Sequence, residues 1–297
     1  MVHIVANGAS GAGRALRKAE VLVAELNLLS LKAVVHRTPS ADEATKLVQS
    51  LPDQATVVSA GGDGTHRAVA TGCVGTPRTM ALLPAGTGND YARGLGLEQL
   101  NPAGVATAIH QGLTRQVDVG LVWLNDATEP KIFLNAFGMG FDADVAAHLR
   151  RLRGAPPLVS YAATVLKRLP HLKAQHLTVR SEKTNLWSGR SILTAAMVGK
   201  QTGGGFAFAP HATFEDGTLN VVIGGSLGPI QFAQAAMQLL RSVPLDVDDV
   251  KTLRDHELNF EWAEPVHMHL DGDPQGAISF ARLGVRPRAL NLITQDP

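Results

Sequence analysis

The sequence predicts an α/β N-terminal domain, doubly wound around a mostly parallel sheet, followed by a mainly antiparallel β C-terminal domain. Over residues 1–120, short apolar runs alternate with amphipathic stretches, and glycine-rich loops follow three of the runs. Beyond residue 120, strand-like segments follow one another with few helical patterns between them. Strand–loop–helix repetition is typical of a parallel sheet covered on both faces, whereas consecutive strands favour antiparallel pairing. We therefore predict domains at 1–120 and 121–297.

Composition and charge narrow the class of protein. The chain has 297 residues, 45% of them hydrophobic and 18% charged, and its formal net charge is +1. These values are typical of a globular protein of about two domains, and the near-neutral balance argues against a dedicated nucleic-acid binder. The single cysteine, Cys73, excludes a disulfide framework and a CxxC metal site. Without a secretory leader or an apolar run of about 18 residues, we expect a cytoplasmic protein that does not span a membrane.

In the first domain, strands and helices are predicted in alternation. The predicted strands are 3–6, 31–35, 56–59 and 79–83. Ser40 and Glu43 have the spacing of a capping box and start the helix after the second strand. Because ligands bind at the carboxyl ends of strands in such sheets, we expect the loops that follow these strands to gather along one edge.

In the second domain, the pattern predicts mostly strands. They are 131–135, 176–180, 191–198, 219–223, 258–262, 266–270 and 289–294. Helical patterns interrupt them at 143–151 with 158–169, and at 230–240. Segments of this kind are typical of an antiparallel β domain.

The loop after the third predicted strand has the composition of a phosphate site. Its residues, called the second loop below, are Gly61, Gly62, Asp63, Gly64 and Thr65. Glycines let backbone N–H groups converge on one point, and the following helix N-terminus favours phosphate. Asp63 is explained if Mg²⁺ lies between its carboxylate and phosphate oxygens. The alternative is a tight strand-to-helix turn in which Asp63 caps the helix.

The fourth predicted strand is followed by a loop of the same kind. This third loop contains Gly86, Thr87, Gly88, Asn89 and Asp90. It combines glycines for close approach, a threonine hydroxyl as donor, and polar residues at the start of the next helix. Two such loops in one small parallel sheet are hard to explain as turns alone.

Together these loops resemble the catalytic domain of the diacylglycerol kinase family and related lipid kinases, which shares its glycine-rich aspartate loop with NAD kinases. Further matching positions are the first loop (Asn7, Gly8, Ala9, Ser10 and Gly11), Thr38, Asp118-Val119-Gly120, segments 135–143 and 203–217, and Asp271-Gly272-Asp273. The resemblance covers nearly the whole chain. It departs from the family at Gly8, where a proline is usual, and at Asp273, where a glutamate is usual. Arg67 and Ala68 also replace an Asn-Glu pair.

The resemblance implies a two-domain kinase that binds ATP across its domain cleft and passes the γ-phosphoryl group to a lipid hydroxyl. The three loops and Thr38 would contact the nucleotide, and Asp63 would hold Mg²⁺. Asp271 or Asp273 would accept the proton of the lipid hydroxyl as general base, and the resemblance leaves both open.

A second, structural Mg²⁺ is also implied by the resemblance. It would lie in the second domain near Asp216, held in part by backbone carbonyls around Thr213 and Thr218.

A basic stretch in the second domain is relevant to which substrate accepts the phosphoryl group. Residues 145–175 contain no acidic residue, and the basic ones are Arg150, Arg151, Arg153, Lys167, Arg168 and Lys173. A solvated basic helix is one interpretation. For a lipid substrate, the same helix is expected to contact anionic headgroups, which would make the protein peripherally membrane-associated. The sequence leaves the oligomeric state open, a homodimer included.

Other functions also stay open. One is a soluble-substrate kinase related to NAD kinase, and another is a non-catalytic nucleotide-binding regulator. A third is a serine hydrolase, since residues 224–228 fit Gly-x-Ser-x-Gly around Ser226, although a turn before a helix is favoured. Period-two alternation puts His267, His269 and Asp271 on one strand face, where we expect half-exposed residues rather than metal ligands.

Overall fold

The computed structural model describes residues 1–8, 13–149, 163–165, 167–168, 173–182 and 184–295. The chain divides into two compact units, Met1–Asp118 with Pro287–Pro297, and Val119–Arg286. The C-terminal segment, which its strand pattern placed in the second domain, is thus part of the first unit.

The secondary structure alternates in the first unit and is mostly β in the second. The strands are β1 (Val2–Asn7), β2 (Ala33–Thr38), β3 (Thr56–Gly61), β4 (Thr79–Pro84), β5 (Thr114–Leu124), β6 (Lys131–Phe133), β7 (Ala136–Gly140), β8 (Gln175–Ser181), β9 (Thr184–Ser191), β10 (Leu193–Met197), β11 (Leu219–Gly224), β12 (Val250–Asp255), β13 (Glu257–Leu270) and β14 (Asp273–Ile293). The helices are α1 (Arg14–Leu28), α2 (Ala41–Ser50), α3 (Asp63–Cys73), α4 (Asp90–Gly94), α5 (Pro102–Gln111), α6 (Phe141–Leu149) and α7 (Pro229–Leu240).

The first unit is built on a parallel sheet. β1 pairs with β2 on one side and β3 on the other, β3 pairs with β4, and β4 pairs with the end of β14, all in parallel. The register places Asn7 opposite Thr38 and Gly61 opposite Pro84. The loops after β1, β3 and β4 therefore start along one edge of the sheet.

Helices cover both faces of this sheet. α1 packs against α5, and α2 packs against α3. Alternate residues of β1 (Val2, Ile4 and Ala6) join Leu22 and Leu26 of α1 in a buried core. Because both faces are buried, the strands read as continuous apolar runs in the sequence.

The second unit is antiparallel. Strands β12, β11, β10, β7, β13 and β14 are neighbours in that order, and β8 pairs with β13 and β9. A separate apolar core contains Phe141 and Val145 of α6, Leu239 of α7, and Phe206 and Phe208.

The predicted fold class is confirmed: an α/β unit with parallel strands precedes a unit with antiparallel strands. The predicted strands 258–262 and 266–270 form the single strand β13. β9 and β12 were not expected, because half of their residues are exposed and their sequences form no apolar run. In the described parts of the chain, no helix has the length and apolar character needed to cross a membrane.

Candidate functional site

The second and third loops are joined through their backbones. The carbonyl of Gly61 accepts hydrogen bonds from the N–H groups of Ala85 (2.7 Å) and Gly86 (3.1 Å). A Cβ on Gly86 would lie 2.5 Å from the Cα of Gly62, so this contact requires glycine. The structure therefore brings the two predicted loops together at the ends of neighbouring parallel strands.

Asn89 fixes the shape of the third loop. Its Oδ1 accepts the N–H of Gly86 (3.0 Å), and its Nδ2 donates to the Gly86 carbonyl (3.2 Å). The backbone of Asn89 is left-handed, with φ 51°, which asparagine tolerates better than most residues. Thr87 is exposed, so its hydroxyl is accessible to a ligand.

Two carboxylates converge on Gly88. Asp63 is the first residue of α3, and its Oδ1 accepts the N–H of Tyr91 in α4 (3.0 Å). It therefore caps the neighbouring helix and not its own, whose N-cap is Gly62. A Cβ on Gly88 would lie 3.2 Å from Asp63 Oδ2 and 3.8 Å from Asp90 Oδ2, so glycine leaves space between the carboxylates. Oxygen donors of this kind suit Mg²⁺, which retains several waters.

The end of β2 presents a buried hydroxyl. Thr38 is 6% exposed, and in the described part of the chain its Oγ1 has no hydrogen-bond partner. Burying a hydroxyl without a partner costs free energy, so a polar ligand group at this edge would stabilise it. In the first loop, Asn7 and Gly8 are described, whereas Ala9, Ser10 and Gly11 lie outside the described residues.

A lysine that the motifs did not single out lies at the start of the third loop. Lys18 of α1 donates from Nζ to the carbonyl of Pro84 (2.6 Å). Burial, and then the charge of Arg14, lower the pKa of Lys18. The available signal was two basic residues one helical turn apart directly after a glycine-rich loop.

His66 lies in the first turn of α3, directly after the second loop. It is fully buried, and its Nδ1 shares a 2.8 Å hydrogen bond with the Ser59 hydroxyl of β3. Burial lowers the pKa of His66 from 6.5 to about 3, so the ring is neutral at physiological pH. The neutral imidazole ties the start of α3 to the sheet.

Burial of His66 is expected to make folding stability depend on acidity. Below its unfolded-state pKa of 6.5, the histidine binds a proton only when the chain unfolds, until the pH approaches the folded-state value of about 3. Stability should therefore fall as the pH falls through this window, by about 2 kcal/mol between pH 7 and pH 5. Urea unfolding between pH 7 and pH 5 should show a fall that is larger by about 2 kcal/mol in wild type than in His66→Asn. The exposed His267→Asn is the control, and an equal fall in His66→Asn would contradict the assignment.

Two positions highlighted by the resemblance serve packing in the first unit. Asp118 is 1% exposed, and its carboxylate accepts the N–H of Arg288 (2.8 Å), which anchors the C-terminal segment. Ala68 is 5% exposed, and its carbonyl accepts the Thr45 hydroxyl of α2 (2.8 Å). The small side chain at position 68, where the sequence departs from the family, is thus buried beside the contact between α2 and α3.

In the second unit, Asp271 is anchored to the backbone. The hairpin between β13 and β14 turns at Asp271 and Gly272, whose φ values of 49° and 76° are both left-handed. The Asp271 carboxylate accepts N–H groups from Leu134 (3.0 Å), Asn135 (2.8 Å) and Ala136 (3.0 Å). Both carboxylate oxygens thus hold the turn against the segment before β7.

Asp273 differs from Asp271 in its surroundings. It is half-buried at the start of β14, and its Oδ2 accepts the side-chain amide of Gln275 (3.1 Å). We refer to Asp271, Gly272 and Asp273 as the acidic turn. Within it, the Asp271 carboxylate is bound by backbone N–H groups, and Asp273 is the more accessible carboxylate.

The Asp216 carboxylate, which the resemblance places at a structural metal site, is bound by the donors of its own turn. The Asp216 carboxylate accepts the N–H of Thr213 (3.1 Å) and both the N–H (2.9 Å) and hydroxyl (2.6 Å) of Thr218. The guanidinium of Arg254 lies 3.3 Å from the same carboxylate. Asp216 thus has an ion pair as well as hydrogen bonds, and the structural Mg²⁺ near it stays a prediction. Across the described residues, no cluster of three His, Cys, Asp or Glu side chains suits a metal.

The remaining motifs are not assembled into sites. Ser226 is exposed in an open groove of about 480 Å³, where none of the described lining residues is a histidine, so the hydrolase triad is absent there. The alternation expected for His267 and His269 is broken by a register shift between Met268 and His269. His267 is exposed, but His269 is 2% exposed, so the expectation of two half-exposed histidines is wrong.

The basic stretch lies mostly outside the described residues. Of its basic side chains, Lys167, Arg168 and Lys173 are described. Arg168 makes a two-point ion pair with Asp144 of α6, with N–O distances of 2.7 and 3.1 Å. The positive charge of Arg168 is therefore paired with an acidic residue of the same unit.

The sequence matches two known domain families. Residues 1–122 match the diacylglycerol kinase catalytic domain, and residues 135–294 match the YegS C-terminal NAD kinase beta sandwich-like domain. A Klebsiella pneumoniae (strain 342) protein named "Probable lipid kinase YegS-like" is 32% identical over 243 residues, covering 79% of this chain and 76% of the relative. A Mycobacterium tuberculosis protein named "Diacylglycerol kinase" is 27% identical over 276 residues, covering 92% and 88%.

Solved structures share the fold. A diacylglycerol kinase from Bacillus anthracis str. Sterne aligns with a TM-score of 0.70 at 19% identity, covering 99% of this chain and 96% of the other. An NAD kinase from Archaeoglobus fulgidus in complex with ATP aligns with a TM-score of 0.54 at 11% identity, covering 99% and 94%. The resemblance drawn from the motifs is therefore confirmed, and the chain belongs to the diacylglycerol kinase catalytic-domain family, with the NAD kinase-like fold.

Proposed function

We propose that the protein is an ATP- and Mg²⁺-dependent lipid kinase that transfers the γ-phosphoryl group of ATP to a diacylglycerol-like hydroxyl. The observation that carries the proposal is the junction of the second and third loops, where Asp63 and Asp90 flank Gly88. Backbone N–H groups and carboxylates at one sheet edge combine the donors for phosphate with the oxygen ligands for a divalent ion.

In this proposal, the first unit holds the triphosphate. Amides of the three loops bind phosphate oxygens, and Lys18 adds positive charge beside the third loop. Thr38 offers its buried hydroxyl to the nucleotide. Mg²⁺, when bound by Asp63 with Asp90 beside it, would neutralise phosphate charge during transfer.

The second unit supplies the general base, and we assign that role to Asp273. A base must accept the proton of the lipid hydroxyl, and the half-buried Asp273 is more accessible than Asp271, which is 9% exposed. Asp271 instead uses both oxygens to bind three backbone N–H groups. Its role is to hold the turn that presents Asp273.

The acceptor class rests on the relatives. Curated relatives carry the names lipid kinase and diacylglycerol kinase, which favours a lipid hydroxyl over NAD. A membrane lipid as acceptor would place the enzyme at the membrane surface, and contact through the basic stretch is part of this proposal.

The test is to incubate the purified protein with labelled ATP, Mg²⁺ and a total lipid extract, and to identify the labelled lipid by mass spectrometry. We expect a labelled phospholipid, its loss on chelation of Mg²⁺, and no NADP in a parallel incubation with NAD. NADP formation would instead support the soluble-substrate kinase. ATP binding without a labelled product across a broad lipid panel would support the regulator.

A further inference from the structure

Besides the hydrogen bonds of Asp271, a buried histidine makes a second attachment to the acidic turn. The N–H of Gly272 donates to Nδ1 of His269 (3.1 Å), and His269 Nε2 lies 2.9 Å from Oδ2 of Asp142. His269 and Asp142 are 2% and 3% exposed. Neither residue belongs to the motifs that define the phosphate loops or the general base.

The hydrogen bonds fix the tautomer of His269. Because the backbone N–H of Gly272 can only donate, Nδ1 must be the unprotonated, accepting nitrogen. The ring proton is therefore on Nε2 and points at the Asp142 carboxylate. A carboxylate that receives the N–H of one ring nitrogen fixes both the tautomer and the orientation of the imidazole.

Local sequence makes room for this pair. His269 lies directly opposite Gly138 in the register of β13 and β7. A Cβ on Gly138 would collide with both Asp142 Oδ2 and His269 Nε2, so glycine lets the imidazole cross β7. Asp142 lies in the first turn of α6, which begins directly after β7. The register shift between Met268 and His269 accompanies the inward position of the ring.

We infer that His269, oriented by Asp142, is a positioning residue for the general base Asp273. Asp271 ties the acidic turn to the backbone before β7, and His269 ties Gly272 to α6 through Asp142. With both attachments, the start of β14 and its carboxylate are fixed relative to the rest of the unit. A general base displaced by about 1 Å can lose about 10²-fold in rate. This inference rests on the proposed lipid kinase function.

The test uses three variants with matched chemistry. His269→Asn keeps an oxygen where Nδ1 accepts the Gly272 N–H, whereas His269→Leu removes that acceptor. His267→Asn, on an exposed position of the same strand, is the control. All are assayed at a temperature where unfolding curves show them folded. We expect His269→Leu to lose about 10²-fold in kcat with the KM for ATP changed less than about twofold. His269→Asn should lose less, because it keeps the acceptor for the Gly272 N–H although it gives up the link to Asp142.

Two outcomes would overturn the inference: wild-type kcat in His269→Leu, or His269→Asn as impaired as His269→Leu. NMR and amide exchange test the role of His269 without relying on kinase activity, so they separate this inference from the proposed function. Nitrogen NMR of the wild-type protein should show Nδ1 of His269 unprotonated and Nε2 protonated, and exchange of the Gly272 amide should be faster in His269→Leu. If no lipid is phosphorylated, the kinase proposal fails. The NMR and exchange results then decide whether His269 holds the turn.

Discussion

Replacing Asp63 with asparagine is expected to lower kcat for lipid phosphorylation by about 10³-fold while the protein stays folded. An asparagine keeps an oxygen that accepts the Tyr91 N–H, so the contact between α3 and α4 survives. The substitution removes the negative charge beside Gly88, and in the proposal this charge binds Mg²⁺. Phosphoryl transfer depends mainly on positioning and charge neutralisation, so this loss should fall on kcat.

The matched control for this variant is Asp42→Asn. Asp42 is an exposed aspartate in the first turn of α2, so the substitution removes the same charge from the same unit away from the loops. Steady-state kinetics with labelled ATP, together with thermal unfolding curves, should separate the two. Turnover of Asp63→Asn within about threefold of wild type would end the metal role of this carboxylate.

The parts of the site that local chemistry determines could be predicted from the sequence. Glycines 61, 62, 86 and 88 follow apolar runs, and the rule that ligands bind at strand ends placed them on one edge. The contact between Gly62 and Gly86 explains why two glycine-rich loops occur together. The Asp-Gly pair at 271–272 is a strong hairpin signal of the same local kind, and its two left-handed residues form the turn in the structure, but the pair entered the prediction only through the resemblance to the family.

The parts that depend on tertiary contacts could not be predicted. β9 and β12 carry no apolar run, because half of their residues are exposed and nearly all of the others are only partly buried. The return of the C-terminal end of β14 to the first unit depends on its pairing with β4. The burial of His269 depends on a register shift that alternation cannot anticipate. The cation at Asp216 is a similar case, since Arg254 comes from a strand that the pattern did not indicate.

The two carboxylates of the acidic turn should respond differently to the same substitution. Asp271→Asn leaves one accepting oxygen for three backbone N–H groups, so it is expected to cost about 3 kcal/mol of folding stability. Asp273→Asn removes the proposed general base but can retain the contact with Gln275. It should leave stability within about 0.5 kcal/mol of wild type and lower kcat by 10²–10⁴-fold, about the usual contribution of a general base.

Replacement by glutamate should also distinguish the roles of Asp271 and Asp273. Asp273→Glu keeps a carboxylate at the position where related kinases have glutamate, so it should retain most of the turnover that Asp273→Asn loses. Asp271→Glu should not preserve stability, because a longer side chain cannot keep the distances of 2.8–3.0 Å to the three N–H groups without moving the turn. Urea unfolding and kcat, measured on all four variants, test both assignments. If Asp271→Asn were stable and inactive while Asp273→Asn kept its turnover, the roles of the two carboxylates would be exchanged.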